Sequence, residues 1–209
     1  VEVSAASGIF TTGSSKGAIK GARVENTLAD GIHTTGGSYE IIVTNNNVYN
    51  TGDDAISVVS YNTDASICKE ISILSNSVKE GTARGLSVIG GDKVKIFQNS
   101  IQDFNLSGVY IASESGFNTN SVSNITVIGN IISNSNRNAS NAAGGIYVQG
   151  RLTYNANNIN LSDNTIIDVN KQGIVVSSSD GTPSYTKNIK VSGNVLRGKS
   201  GAADTGVGL

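Results

Sequence analysis

The chain has 209 residues, a formal net charge of -1, and 25 Gly beside 25 Asn, yet one Pro, one Cys and neither Trp nor Met. Only 15% of its residues are charged, so it lacks the basic footprint of a nucleic-acid binder, and no apolar run approaches the length of a membrane span. Lone Cys68 excludes a disulfide framework or cysteine-rich metal site, and neither nucleic acid nor membrane is expected as a partner.

Read in chain order, the first unit is a half copy, Gly8, Ile9 and Thr11. A degenerate copy starts at Gly17, with Ala22, Val24, Gly31, Ile32 and Thr34. From Ile41 a fixed ruler is legible: apolar residues at offsets 0 and 2, Asn at 5, apolar at 7, Gly or Ala at 14, apolar at 15 and 17. Here these are Ile41, Val43, Asn46, Val48, Ala55, Ile56 and Val58. The next copies, from Ile71 through Asn76 to Gly85 and from Val94 through Asn99 to Gly108, need no gap. The copy from Ile125 through Asn130 to Gly145 carries an insert, and the one from Ile159 through Asn164 to Gly173 does not. The last runs from Ile189 through Asn194, again with an insert, to Gly206, Val207 and Leu209.

Pairs of apolar residues at period 2, dominated by β-branched Val and Ile and separated by turn residues, describe short strands with one buried face. Repetition every 23 to 34 residues makes each copy one coil of an all-β, single-stranded parallel β-helix of about seven coils. Crossover chirality predicts a right hand. At an interstrand spacing of roughly 4.8 Å the rod is roughly 34 Å long. The six Asn at offset 5 (Asn46, Asn76, Asn99, Asn130, Asn164 and Asn194) are expected to stack as a turn ladder. The Gly at offset 14 is expected to allow a tight backbone entry into the next strand, a role open to Ala only at negative φ. Residues 1–209 read as one β-helix domain, an excerpt of a longer chain, because the sequence opens within a half coil and stops within a strand.

Chemistry concentrates just before the Gly. Offset 13 holds Asp30, Asp54, Arg84, Ser107, Gly144, Gln172 and Thr205, and Asp53 precedes Asp54, so three carboxylates converge on adjacent coils. Carboxylates one strand spacing apart raise one another's pKa, which suits glycoside hydrolysis with one acid and one base or nucleophile. Plain turn chemistry and a calcium site are the alternatives for the same trio. A spacing of roughly 5 Å would match retention of configuration. Offset 16 points outward and carries His33, Ser57, Ser87, Tyr110, Tyr147 and Val175, so the only histidine and two tyrosines flank the carboxylates as candidate sugar-binding residues. Offset 3 also points outward, and there Leu74, Phe97 and Ile128 form an apolar stripe that requires cover. Two long inserts, Val59 to Glu70 and Ala112 to Asn124, or a partner subunit, are the candidates. Sequons at Asn105, Asn124, Asn138 and Asn160 are what this composition produces by chance, and Pro183 with Gly181 marks a loop.

The stretches ADGIHTTG and NVYNTGDDAISV, between Ala29 and Tyr61, resemble the polygalacturonase-type glycoside hydrolases. Asp30 matches the Asp of that family's NTD motif, and Asp53 with Asp54 its DD pair. ARGLSV, Ala83 to Val88, stands where the family has GHGLSI, so Arg84 replaces its histidine, and SGVYIA, Ser107 to Ala112, puts Tyr110 and Ala112 in place of its Arg and Lys. Loss of these cations speaks against polygalacturonate. The same departures resemble bacteriophage tailspike and pectate-lyase-like appendage proteins. That resemblance implies a polysaccharide partner, a homotrimer seamed at the apolar stripe, and a place on a virion tail or outside the cell. It implies hydrolysis by Asp30, Asp53 and Asp54, with inversion and without a cofactor, and sugar contacts from His33, Arg84, Tyr110 and Tyr147. A non-catalytic carbohydrate-binding rod, and a calcium-dependent lyase with Arg84 as base, are the other readings. A monomeric sedimentation mass for the full-length protein would exclude the trimer.

Overall fold

A computed structural model describes residues 6–138, 144–151, 153–178 and 185–198. Every regular element among them is a β-strand, and every strand pairing is parallel. Each coil crosses three sheets in turn. The first sheet holds Ser15–Lys20, Tyr39–Thr44, Ser72–Leu74, Lys95–Phe97, Val122–Ile128, Ala156–Ser162 and Thr186–Ser192, with the two-residue strand Gly91–Asp92 beside Val122–Ile128. The second runs from Arg23–Thr27 to Val195–Gly198. The third holds Ile9–Thr12, Ile32–Thr35, Ile56–Val59, Leu86–Ile89, Val109–Ala112, Ile146–Gly150 and Ile174–Ser178. Strand order in each sheet follows coil order, as a β-helix requires, and the predicted fold is the observed one.

The register keeps like offsets in contact. Ile32 pairs with Ile56, Ile56 with Leu86, Leu86 with Val109, Val109 with Ile146, and Ile146 with Ile174. All six are fully buried. β-Branched side chains stacked one above another fill a core only a few residues wide, in which Phe104 is the one fully buried aromatic ring among the described residues.

The Asn ladder forms as expected. The backbone N–H of Asn46 donates to Asn76 Oδ1 at 3.0 Å, Asn76 to Asn99 at 2.9 Å, Asn99 to Asn130 at 2.9 Å, Asn130 to Asn164 at 3.0 Å and Asn164 to Asn194 at 3.0 Å. Each Nδ2 also donates to the offset-2 carbonyl of the preceding coil, from Ile19 to Leu161. The degenerate copy keeps the rung without the amide, because Ala22 N–H still donates to Asn46 Oδ1 at 2.9 Å.

Three further columns escaped the ruler. Left-handed residues recur immediately before the ladder Asn (Gly21, Asn45, Ser75, Gln98, Gly129, Asp163 and Gly193), at offset -1 (Lys16, Glu40, Glu70, Lys93, Asn124, Asn158 and Asn188), and at offset 9 (Asn26, Asn50, Glu80, Asp103, Asn134 and Asp168). These positive-φ corners are where the chain changes direction, and Asn, Asp and Gly tolerate them best. Much of the Asn excess therefore serves corners as well as the ladder.

Glycine at offset 14 has a different reason from the one expected. None of Gly31, Gly85, Gly108 and Gly145 has positive φ. Instead a Cβ there would lie 2.3 Å from Val48 Cγ1, 2.4 Å from Ile101 Cγ2, 2.3 Å from Ile132 Cγ2 and 2.4 Å from Ile166 Cγ2, respectively. The β-branched residue at offset 7 of the next coil occupies the space, so close packing between coils excludes the side chain.

The two long inserts do not cover the apolar stripe. Phe97 remains 39% exposed between half-buried Leu74 and Ile128 in register. The inserts instead fold over the outer face of the third sheet and join each other, through a Tyr61–Thr119 bridge and an Asn62 N–H to Asn118 O bond of 2.9 Å. Arg151 clips them down by donating to Ser113 Oγ and Thr119 O, both at 3.0 Å. Beneath lies a second apolar cluster of Val59, Ile89, Tyr110 and Ala112, packed by Tyr61 and Tyr147. The offset-16 column expected at the surface is consequently buried at Ser57, Ser87 and Tyr110. Thr205, Gly206, Val207, Leu209, Gly181 and Pro183 lie outside the described residues.

Candidate active site

The entry turns of the third sheet bring Asp30, Asp53 and Asp54 together, each offering an oxygen within 4.8 Å of the others. Asp30 and Asp54 are buried, whereas Asp53 is exposed. With His33 and Arg84 they line one cleft, whose wall also includes Tyr61, Glu114, Phe117 and Thr119 from the inserts. Five of the seven anticipated site residues thus meet. Tyr110 lies in a neighbouring cleft and Tyr147 in neither of these two.

Asp30 and Asp54 form a short ladder of their own. Asp54 N–H donates to Asp30 Oδ1 at 3.0 Å, and Arg84 N–H donates to Asp54 Oδ1 at 2.9 Å. This repeats the Asn ladder's logic, a side-chain oxygen accepting the equivalent backbone N–H of the adjacent coil. Asp30 Oδ2 accepts Ser57 Oγ at 2.7 Å and contacts His33 Nδ1, which is itself 2.9 Å from Ser57 Oγ. Phe10 stacks on the His33 ring with centroids 5.1 Å apart and planes 7° from parallel. His33 is thus held between a carboxylate, a hydroxyl and a phenyl face.

Burial raises two of the carboxyls. Burial, opposed by Arg84 and reinforced by Asp30, pushes Asp54 up to about 7. Asp53 is also raised, by desolvation first and the charge of Asp30 second. Arg84 extends from Asp54, 3.7 Å away, to Glu114 at 2.8 Å, with its guanidinium 4.3 Å from the centre of the Tyr110 ring. Burial pulls its pKa down, but Asp54 and Glu114 outweigh that and raise it. A guanidinium so paired cannot serve as a base, and the lyase reading loses its proton acceptor.

Tyr110 is 5% exposed, with Arg84 on its ring and the Tyr147 ring 5.5 Å away, so little of it is open to a sugar. Tyr147 OH accepts Ser177 Oγ at 3.1 Å. A hard cation could be ligated by three oxygens at this spacing. Asp30, however, already has both oxygens engaged and Asp54 one. Sequence reasoning missed Glu114, Phe117, Tyr61 and Ser57 as site residues. The first three belong to inserts that no ruler places.

The family model described as "Right handed beta helix region" matches residues 1–120, more than half of the chain. The chain belongs to the right-handed β-helix family. The mannuronan C-5 epimerase A-module of Azotobacter vinelandii superposes with a TM-score of 0.72 at 15% identity, covering 98% of this chain and 56% of that one. The catalytic unit of a GH87 α-1,3-glucanase from Streptomyces thermodiastaticus gives 0.60 at 15% identity, covering 97% and 49%. The siphovirus 9NA tailspike receptor-binding domain gives only 0.37 at 8% identity, covering 92% and 45%. The chain thus spans about half the length of the structures it matches. No curated protein sequence matches it.

Proposed function

We propose that this β-helix hydrolyses glycosidic bonds of a polysaccharide, with Asp54 as the proton donor and Asp53 and Asp30 as the neighbouring carboxylates. The observation that carries this reading is the residue type at the short ladder. Its structural task is to accept one backbone N–H, and the Asn column a few residues away does that task with a neutral amide. An aspartate at 2% exposure adds a desolvation penalty that the ladder does not require. A buried carboxyl raised to about 7 is, by contrast, what leaving-group protonation needs.

In the proposed reaction Asp54 delivers its proton to the glycosidic oxygen as the bond breaks. Asp53, open to the cleft, takes a proton from the water whose oxygen bonds to the anomeric carbon as the glycosidic bond breaks, and solvent exchange then returns a proton to Asp54. Asp30 is held by Ser57 and His33. Glu114 and Arg84 form the facing wall. Both well-superposed neighbours are named for work on polysaccharides, which supports a carbohydrate partner. A tailspike-like depolymerase of bacterial surface polysaccharide, trimeric along the Leu74–Phe97–Ile128 stripe and carried on a virion tail or outside the cell, is the finer form of this reading and rests on the motif resemblance. The second reading, a binding rod without turnover, draws on the ladder bonds themselves, since Asp30 and Asp54 do act as turn acceptors.

The pH profile tests the assignment. Asp54 donates only when protonated, so kcat/KM for reducing-end release is expected to fall as pH rises through about 7. Arg84 lowers the Asp54 pKa, so Arg84→Gln should move this alkaline limb to higher pH even as it slows the reaction. A limb that stays in place in Arg84→Gln removes Asp54 as the acid. Products absorbing as unsaturated uronides would instead establish elimination.

A further inference from the structure

The insert following Ala112 lies between the Asp cleft and a second cleft, and Glu114 and Phe117 line both. Phe117 sits on a closed turn in which Thr119 N–H donates to Glu114 O and Asn118 N–H to Ser115 O, both at 3.1 Å. Arg151 anchors the base of that turn. Its ring is nonetheless 67% exposed. An apolar ring held in water by a pinned turn, between two polar clefts, is arranged to be covered by a ligand. The axial C–H face of a pyranose packs on such a ring.

The charges around it define the ligand class. Asp30, Asp53, Asp54 and Glu114 face the two clefts, against two arginines and His33, and no lysine lines either cleft among the described residues. Both arginines are engaged within the protein. Arg84 is bonded to Glu114 and lies beside Asp54; Arg151 donates to Ser113 and Thr119 and stacks on Tyr154 at 4.6 Å. A uronate entering here meets four carboxylates against two arginines, of which Arg84 is already paired with Glu114 and only Arg151 bonds neutral oxygens alone. A sugar ring with hydroxyls alone finds Glu114, Ser115 and Gln149 as hydrogen-bonding groups.

We infer that the second cleft is a subsite for a neutral sugar, with Phe117 as the stacking platform between it and the Asp cleft, and that the substrate is a neutral polysaccharide. This rests on the reading of the Asp cleft as a polysaccharide site, and binding is measured separately from turnover so that the two can fail independently. Wild type and Phe117→Ala are titrated with α-1,3-glucan, galactan and mannan, with polymannuronate and polygalacturonate, and with the carboxyl-reduced forms of both acidic polymers. The expected result is binding confined to neutral or carboxyl-reduced chains, weakened about tenfold by Phe117→Ala and largely restored by Phe117→Tyr. Binding of a native uronate polymer in preference to its reduced form, unchanged affinity in Phe117→Ala, or no binding of any neutral chain overturns the inference. Neutral chains bound through Phe117 but never cut would uphold the ligand class while removing hydrolysis.

Discussion

Asp54→Asn is expected to reduce reducing-end release about 10²–10⁴-fold while leaving polysaccharide binding nearly unchanged. Asparagine keeps the Oδ1 that accepts Arg84 N–H, so the turn survives and only the transferable proton is lost. The same substitution should also increase stability at alkaline pH. Asp54 has a folded-state pKa raised from 3.8 to about 7, so its protonated form is the one the fold favours. Stability is then full below the ordinary carboxylate range and is lost as pH rises through about 7. At about 1.36 kcal/mol per unit, the penalty removed by Asn is at most about 4 kcal/mol at pH 9, less whatever Arg84 loses with its 3.7 Å partner. Denaturation of both proteins between pH 5 and 9 measures it alongside activity. A variant that hydrolyses at the wild-type rate, or is destabilised at every pH, would return Asp54 to turn chemistry.

The second large effect is expected at the middle of the Asn ladder. Asn99 is 1% exposed, accepts from Asn76 N–H and Nδ2, and donates to Ile73 O and Asn130 Oδ1. Asn99→Ala leaves the buried Asn76 N–H and Ile73 carbonyl without these partners, at about 1–3 kcal/mol each, so a loss of about 2–6 kcal/mol is expected. Asn194→Ala, at the half-buried last rung, should cost markedly less. Urea midpoints of the two variants decide the matter, and equal midpoints would show that the ladder is ornamental to stability. Because each strand pairs only with those of the adjacent coils, the central substitution should also split the unfolding transition, giving two steps where wild type gives one.

The coil ruler was legible because it depends on local chemistry repeated in register. Period-2 Val and Ile, a turn Asn and a position that excludes Cβ recur at set offsets, and stacking turns each recurrence into a column. The aspartate trio was legible for the same reason, since Asp30 and Asp54 share an offset and Asp53 adjoins one of them. The remainder of the site was not. Glu114 and Phe117 sit in an insert outside the ruler, and their approach to the cleft depends on bonds to Asn62, Tyr61 and Arg151, distant in the chain. Tyr110 shows the converse error. Its offset correctly points it out of the core, but the inserts then bury it beneath Arg84.

By itself, then, the sequence determined the all-β coil, the Asn ladder and the placing of three carboxylates on adjacent turns, because parallel stacking converts equal offset into contact. Only the tertiary structure decided that the inserts close over the third sheet rather than the apolar stripe. It also decided that Arg84 is committed to carboxylates and that Asp54 is buried enough to hold its proton near neutral pH. Those depend on desolvation and on contacts between segments 30 or more residues apart, which no local pattern records.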